Sequence, residues 1–183
     1  MMLMLKLGGI PLLASKQTTR KLAYKHNPHG IFELQGINRI LPRLHASATR
    51  GRAVKVVAPY IHLTPLDRPV KMIFMTRNVR EIIASLLVQK TIWKFTPEVI
   101  LEAAQDFIRD NQLDVLYVGY HDMMSSPRGI AVRVAHFLER DLDIDSMVTA
   151  VDRKVRKLSD TIGPKESGEL VRFDLDLTKV TSN

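Results

Sequence analysis

The chain contains no cysteine, which excludes a disulfide framework, a thiolate zinc site, an iron–sulfur cluster and a cysteine nucleophile. Aromatic residues make up only 6%, with a single tryptophan. No window reaches the roughly 18 uninterrupted apolar residues of a membrane span. Carboxylates are nearly missing from the first third. Residues 1–60 hold ten Lys and Arg against one acid, Glu33, whereas the remaining 123 hold seventeen basic and eighteen acidic residues. The net charge of +8 is therefore a property of the N-terminal third.

What is present fits one globular domain. At 183 residues with 45% hydrophobic composition, the chain can bury a core without wholesale disorder. Lacking both cysteine and a span, it reads most simply as cytoplasmic. The opening MMLMLKLGGIPLLA reads less as a secretory signal than as a buried helical turn, because no basic region precedes the apolar run and Lys6, Gly8, Gly9 and Pro11 interrupt it. A basic segment of this kind suits an anionic ligand or an acidic partner, with a plain solvated surface as the other reading. Nucleic acid is the weaker choice, since the first sixty residues offer only Tyr24, Phe32 and Tyr60 for stacking.

Periodicity gives the element order. Residues 1–7 predict a buried helical turn stopped by Gly8-Gly9. Residues 15–30 predict helix, then loop around Asn27-Pro28-His29-Gly30. Three short apolar runs predict strands: AVKVVA (53–58), closed by Pro59, VKMIFM (70–75) and DVLYVGY (114–120). Helices are predicted after Arg77, where Asn78 and Glu81 have capping-box spacing, and from Thr96-Pro97, with Ile100, Ala103, Ala104, Phe107 and Ile108 as its apolar face. Another starts at Ser126-Pro127, with Ile130, Val134, Phe137 and Leu138 as its stripe. A last helix spans about 145–159, and the polar tail carries one strand pattern, ELVRFDLDL. Near-continuous apolar strands alternating with amphipathic helices predict an α/β fold: a three-layer parallel sheet with helices on both faces. Ligands in such folds bind at the carboxyl ends of the strands.

The segment KMIFMTRNVREIIAS, residues 71–85, places Arg77 at that edge, directly before a capped helix, with Ser85 about two turns in. A helix N-terminus favours anions, a guanidinium offers a planar fork to phosphate, and a serine hydroxyl adds one hydrogen bond. The plainer reading is an arginine in a surface ion pair and a serine facing solvent. His26 and His29 have i, i+3 spacing, but no third ligand lies near them in sequence, so no metal is expected.

The strand–Arg-Asn–x–Arg–x₄–Ser pattern resembles the 3′-phosphate-binding motif of sulfotransferases that use 3′-phosphoadenylyl sulfate (PAPS). Four further segments agree in order with a bacterial sulfotransferase-like branch: LKLGGIPLL followed by NPHGIFE, GRAVKVVAP, VLYVGYHDMMSSP and VDRKVRKLS. The resemblance covers residues 1–160 and leaves 161–183 as a tail. It implies a P-loop NTPase/sulfotransferase-like sheet and, as ancestral chemistry, transfer of a sulfuryl group from PAPS to a hydroxyl or amine, with no metal required. By position, Arg77 and Ser85 would hold the nucleotide 3′-phosphate. Arg80 and Arg156, with Arg153 and Lys154, would add positive charge, while Tyr120 and Asp122 would brace the nucleotide side. His62 stands nearest the place where relatives carry a general base.

The pattern is entered just after the family's Gly-rich 5′-phosphosulfate loop, so the first strand and that loop are expected to be missing. The expectation is then that the chain begins upstream, that the remaining strands close up, or that a partner chain fills the gap. Because sulfuryl transfer depends on electrostatic stabilisation by such a loop, weak or no turnover is expected of these residues alone. The alternative is a catalytically inactive sulfotransferase-like module that binds a nucleotide or an acidic partner through its basic N-terminal third. The basic stretch ASKQTTRKLAYKHNPHG would likewise suit an anionic acceptor.

Overall fold

The computed structural model describes residues 1–16, 32–88 and 95–151. In chain order these form α1 (Met2–Leu7), β1 (Leu12–Leu13), α2 (Ile37–Ile40) running into a 3₁₀ turn (Leu41–Arg43), α3 (Ala46–Thr49), and β2 (Ala53–Val54) followed by a second 3₁₀ turn (Ala58–Leu63). Then come β3 (Lys71–Thr76), α4 (Val79–Val88), α5 (Pro97–Asp110), β4 (Asp114–Gly119), α6 (Tyr120–Ser125), α7 (Pro127–Leu138) and α8 (Ile144–Thr149). The described residues are mixed α/β, and every strand pairing among them is parallel. Among the described residues the strands form two two-stranded sheets, β1–β2 and β3–β4; the sequence predicts one continuous sheet.

The β3–β4 pair is the centre. Six residue pairs run in parallel register from Lys71 opposite Asp114 to Thr76 opposite Gly119, so nothing lies between these two strands. Side chains alternate across the pleat. Ile73, Met75, Leu116 and Val118 face a core built with Met4 and Leu5 of α1, Met123 and Met124 of α6, Ile130, Ala131 and Val134 of α7, and Met147 of α8. Met72, Phe74 and Val115 face Ala104 and Ile108 of α5 and Ile61 of the second 3₁₀ turn. Helices thus cover both faces of this pair, which is why its strands read as unbroken apolar runs. Met4, Met147, Val118 and Val134 are the largest fully buried side chains, each stabilising the fold by about 1.5–3 kcal/mol.

α1 ends as predicted, by a Schellman arrangement. Ile10 N–H donates to Leu5 O (2.9 Å) and Gly9 N–H to Lys6 O (3.2 Å). Gly9 sits at φ +96°, a conformation that strains any side chain with a Cβ. The accompanying apolar contact is made by Leu5 and Ile10, both in the core. The Met1 amino group donates to Met123 Sδ at 3.5 Å; burial, helped by the Lys55 ammonium, pushes its pKa down to about 6. Further along the chain, Asp143 caps α8 by accepting from the Ser146 N–H (2.9 Å) and hydroxyl (2.6 Å), which holds its carboxyl below the usual range.

Several expectations shift. The strand predicted over 53–58 shrinks to Ala53–Val54 plus one bridge from Lys55 to Glu33, because the chain turns into a 3₁₀ segment that carries Pro59 in its first turn, where proline offers no ladder donor. Ala103 is exposed, since the buried stripe of α5 runs Ile100, Ala104, Ile108 at i+4 steps. The loop and helix of 17–30, the extension of the last helix to 159 and the 161–183 tail lie outside the described residues. Among those described, no helix is long and apolar enough to cross a membrane.

Candidate nucleotide site

Parallel register builds the site. Because Thr76 pairs with Gly119, the next residues along each strand, Arg77 and Tyr120, emerge side by side at the carboxyl edge. Asn78 starts α4 by accepting the Arg80 N–H at its Oδ1, 2.9 Å, the cap that the sequence predicts. The reciprocal half of the capping box does not form. Glu81 instead takes the Arg77 Nε–H at 2.7 Å, because an arginine one turn below it is a charged donor and the Asn78 N–H is a neutral one.

Arg77 is held from two sides. Its Cζ lies 4.4 Å from the centroid of the Tyr120 ring, within cation–π range, and Glu81 fixes its Nε. The two Nη groups make no hydrogen bond among the described residues. The arginine side chain is 26% exposed and Glu81 50%, so the ion pair itself contributes only about 0–1 kcal/mol. What the pair and the ring supply is orientation: an uncommitted Nη fork at the edge of the sheet.

Ser85 lies four residues beyond Glu81 on α4, hence on the same helix face one turn further along, and is half-buried. Arg80 is exposed; its backbone serves the cap. Asp122 lies close under Gly119, where an added Cβ would fall 2.5 Å from its Oδ2, so the carboxylate folds back over the strand-to-helix turn. Tyr120 packs against the α1–α6–α7–α8 core. His62 is exposed on the second 3₁₀ turn, whose Ile61 belongs to the α5 side of the sheet. Among the described residues, no hydrogen bond, ion pair or cation–π contact joins His62 to Arg77 or Tyr120. Arg153, Lys154, Arg156, His26 and His29 lie outside the described residues. The described residues contain no group of three His, Asp or Glu able to hold a metal ion.

The structure thus gathers Arg77, Glu81 and Tyr120, keeps Ser85 on their helix face, and gives His62 no bond to any of them. Glu81 is the participant that spacing alone assigns elsewhere, and its signal was its i+4 relation to Arg77. Compared with known proteins, the chain matches no family model, no curated sequence and no solved structure.

Proposed function

We propose that this chain is a sulfotransferase-like nucleotide-binding domain whose Arg77 fork takes the 3′-phosphate of PAPS or of its product, adenosine 3′,5′-bisphosphate. One observation carries the reading: a guanidinium fixed between Tyr120 at 4.4 Å and Glu81 at 2.7 Å, with its Nη edge open beside the start of α4. A phosphate accepts two parallel N–H bonds from such a fork. Ser85, on the same helix face, supplies a further donor in this proposal, and Arg80 contributes long-range charge only. The β3–β4 pair with its two helical coverings would be the centre of the three-layer sulfotransferase-like sheet.

PAPS supplies the sulfuryl group when bound. The residues of this chain orient its 3′-phosphate, and the reaction class would be in-line transfer to a hydroxyl or amine. His62 is the proposed base, and its exposure, with no bond to the Arg77 clamp, favours nucleotide binding over rapid turnover. Glu81 bears on the fit. Its carboxylate faces any incoming phosphate, so binding must tolerate or displace it, at a cost kept small by its exposure.

Calorimetric titration tests the proposal. Adenosine 3′,5′-bisphosphate should bind tighter than AMP by about tenfold or more, since a charge-assisted hydrogen bond contributes roughly 1.5–3 kcal/mol. Arg77→Ala should erase that preference while leaving AMP binding unchanged. Equal affinity for the two nucleotides in the parent chain, or a preference that survives Arg77→Ala, would refute it.

A further inference from the structure

Between Glu33 and Asp67 the sequence contains no carboxylate, yet it carries Arg39, Arg43, Arg50, Arg52 and Lys55. All four arginines are exposed, and none makes a side-chain hydrogen bond or ion pair among the described residues. They sit on α2, the 3₁₀ turn after it, and the turn that leaves α3.

This segment is a built platform rather than a loose loop. Ile37 and Leu41 bury one side of the helical turn. Arg68 holds the following stretch, donating to Leu44 O at 2.8 Å and to Thr49 Oγ1 at 3.2 Å. A fifth arginine arrives from far along the chain: Arg140 donates to Gly51 O at 3.4 Å, between Arg50 and Arg52. Arg140 is flanked by Glu139 and Asp141, but Arg39, Arg43, Arg50 and Arg52 have no ion-pair partner among the described residues, and like charges repel one another, so stability does not explain these four. Guanidinium forks suit carboxylates and phosphates alike.

One neighbour decides between the two. Ile40 stands between Arg39 and Arg43 and is 40% exposed. An outward isoleucine adds nothing on a phosphate backbone, but it anchors a polypeptide by burying an apolar side chain. Among the described residues, no exposed aromatic accompanies the arginines to stack on bases. We infer that the Arg39–Ile40–Arg43 turn, with the Arg50–Arg52–Arg140 cluster, docks an acidic polypeptide segment that carries apolar residues between its carboxylates. This surface shares no residue with the nucleotide site, and the inference does not depend on that site. It gives the acidic-partner expectation a location and a chemistry.

The test is fluorescence anisotropy with a short labelled peptide of alternating Glu and Leu, against poly-glutamate of equal charge and a short DNA duplex. The Glu-Leu peptide should bind more tightly than either and lose affinity as salt rises. Arg39→Glu with Arg43→Glu should weaken it by about tenfold or more, and Ile40→Ser by several-fold. Arg109→Glu, a charge reversal on α5 outside the surface, should leave it unchanged; circular dichroism confirms that each variant is folded. No peptide binding, an equal loss in Arg109→Glu, or tighter duplex binding that ignores Ile40→Ser would overturn the inference.

Discussion

Replacing Gly8 by alanine probes the seam between α1 and α8. A Cβ at Gly8 would lie 2.7 Å from Met147 Cγ and 2.8 Å from its Sδ, with Met4 O at 3.3 Å. Ordinary carbon contacts are about 3.5–4.0 Å, so Met147 must retreat by nearly an ångström. It has nowhere to go, being 0% exposed in the α1–α6–α7–α8 core. Overpacking of this kind costs about 1–3 kcal/mol. The reduced entropy of the unfolded alanine chain returns roughly 0.4–1 kcal/mol, because Gly8 at φ −73° needs no glycine for its backbone. The net is about 1–2 kcal/mol of destabilisation, or a fall in melting temperature of roughly 2–8 °C for a chain of this size. Gly119→Ala is the control. Its Cβ also meets a side chain, at 2.5 Å, but that side chain is the exposed Asp122, which can swing into solvent. Thermal denaturation followed by circular dichroism should separate the two variants. A double-mutant cycle with Met147→Ala should show less than additive loss, by about 0.5 kcal/mol or more. Gly8→Ala as stable as the parent, or strict additivity in the cycle, would refute the packing at this seam.

Two more outcomes are expected. Glu81→Gln should tighten binding of adenosine 3′,5′-bisphosphate about fivefold, because a carboxylate and a phosphate dianion at about 5 Å repel by roughly 1–2 kcal/mol in water; titration with unchanged or weaker affinity would place the phosphate elsewhere. Prepared with a free amino terminus at Met1, the chain should lose stability as the pH falls from 8 to 6. Its amine titrates at about 6 when folded against 8.0 ordinarily, so the unfolded state takes up the proton first, and the difference amounts to about 2–3 kcal/mol. Urea denaturation at pH 8.5 and pH 6 measures it, and acetylation of the amine should abolish the difference.

Local signals in the sequence were strong wherever one residue has one physical use. The Gly8-Gly9 stop, the Asn78 cap, Pro97 and Pro127 at helix starts, and the apolar runs of β3 and β4 all read correctly because each reports a backbone requirement. Leu12–Leu13 and the turns over 37–49 gave no such signal. A two-residue strand has no period to detect, and helices of four residues are stabilised by Ile37, Leu41 and the distant Arg68 rather than by their own propensity. At the site, the placement of Arg77 at the sheet edge was legible from the strand before it. Its stacking on Tyr120 was not, because that contact follows from which strand pairs with β3 and in what register. Spacing marks Glu81 as a cap partner, since it specifies reach but not which donor wins, and Arg77 wins.

The packing of α1 on α8 has a consequence for biosynthesis. Met4 and Leu5 are covered in part by Met147, which leaves the ribosome long after them. At roughly 5–20 residues per second, the opening helix waits on the order of ten to thirty seconds for its final covering. During that interval an apolar, methionine-rich amphipathic turn is open to chaperones or to neighbouring nascent chains. Slow translation upstream of α8 should therefore lower the soluble yield of this protein more than slow translation after it.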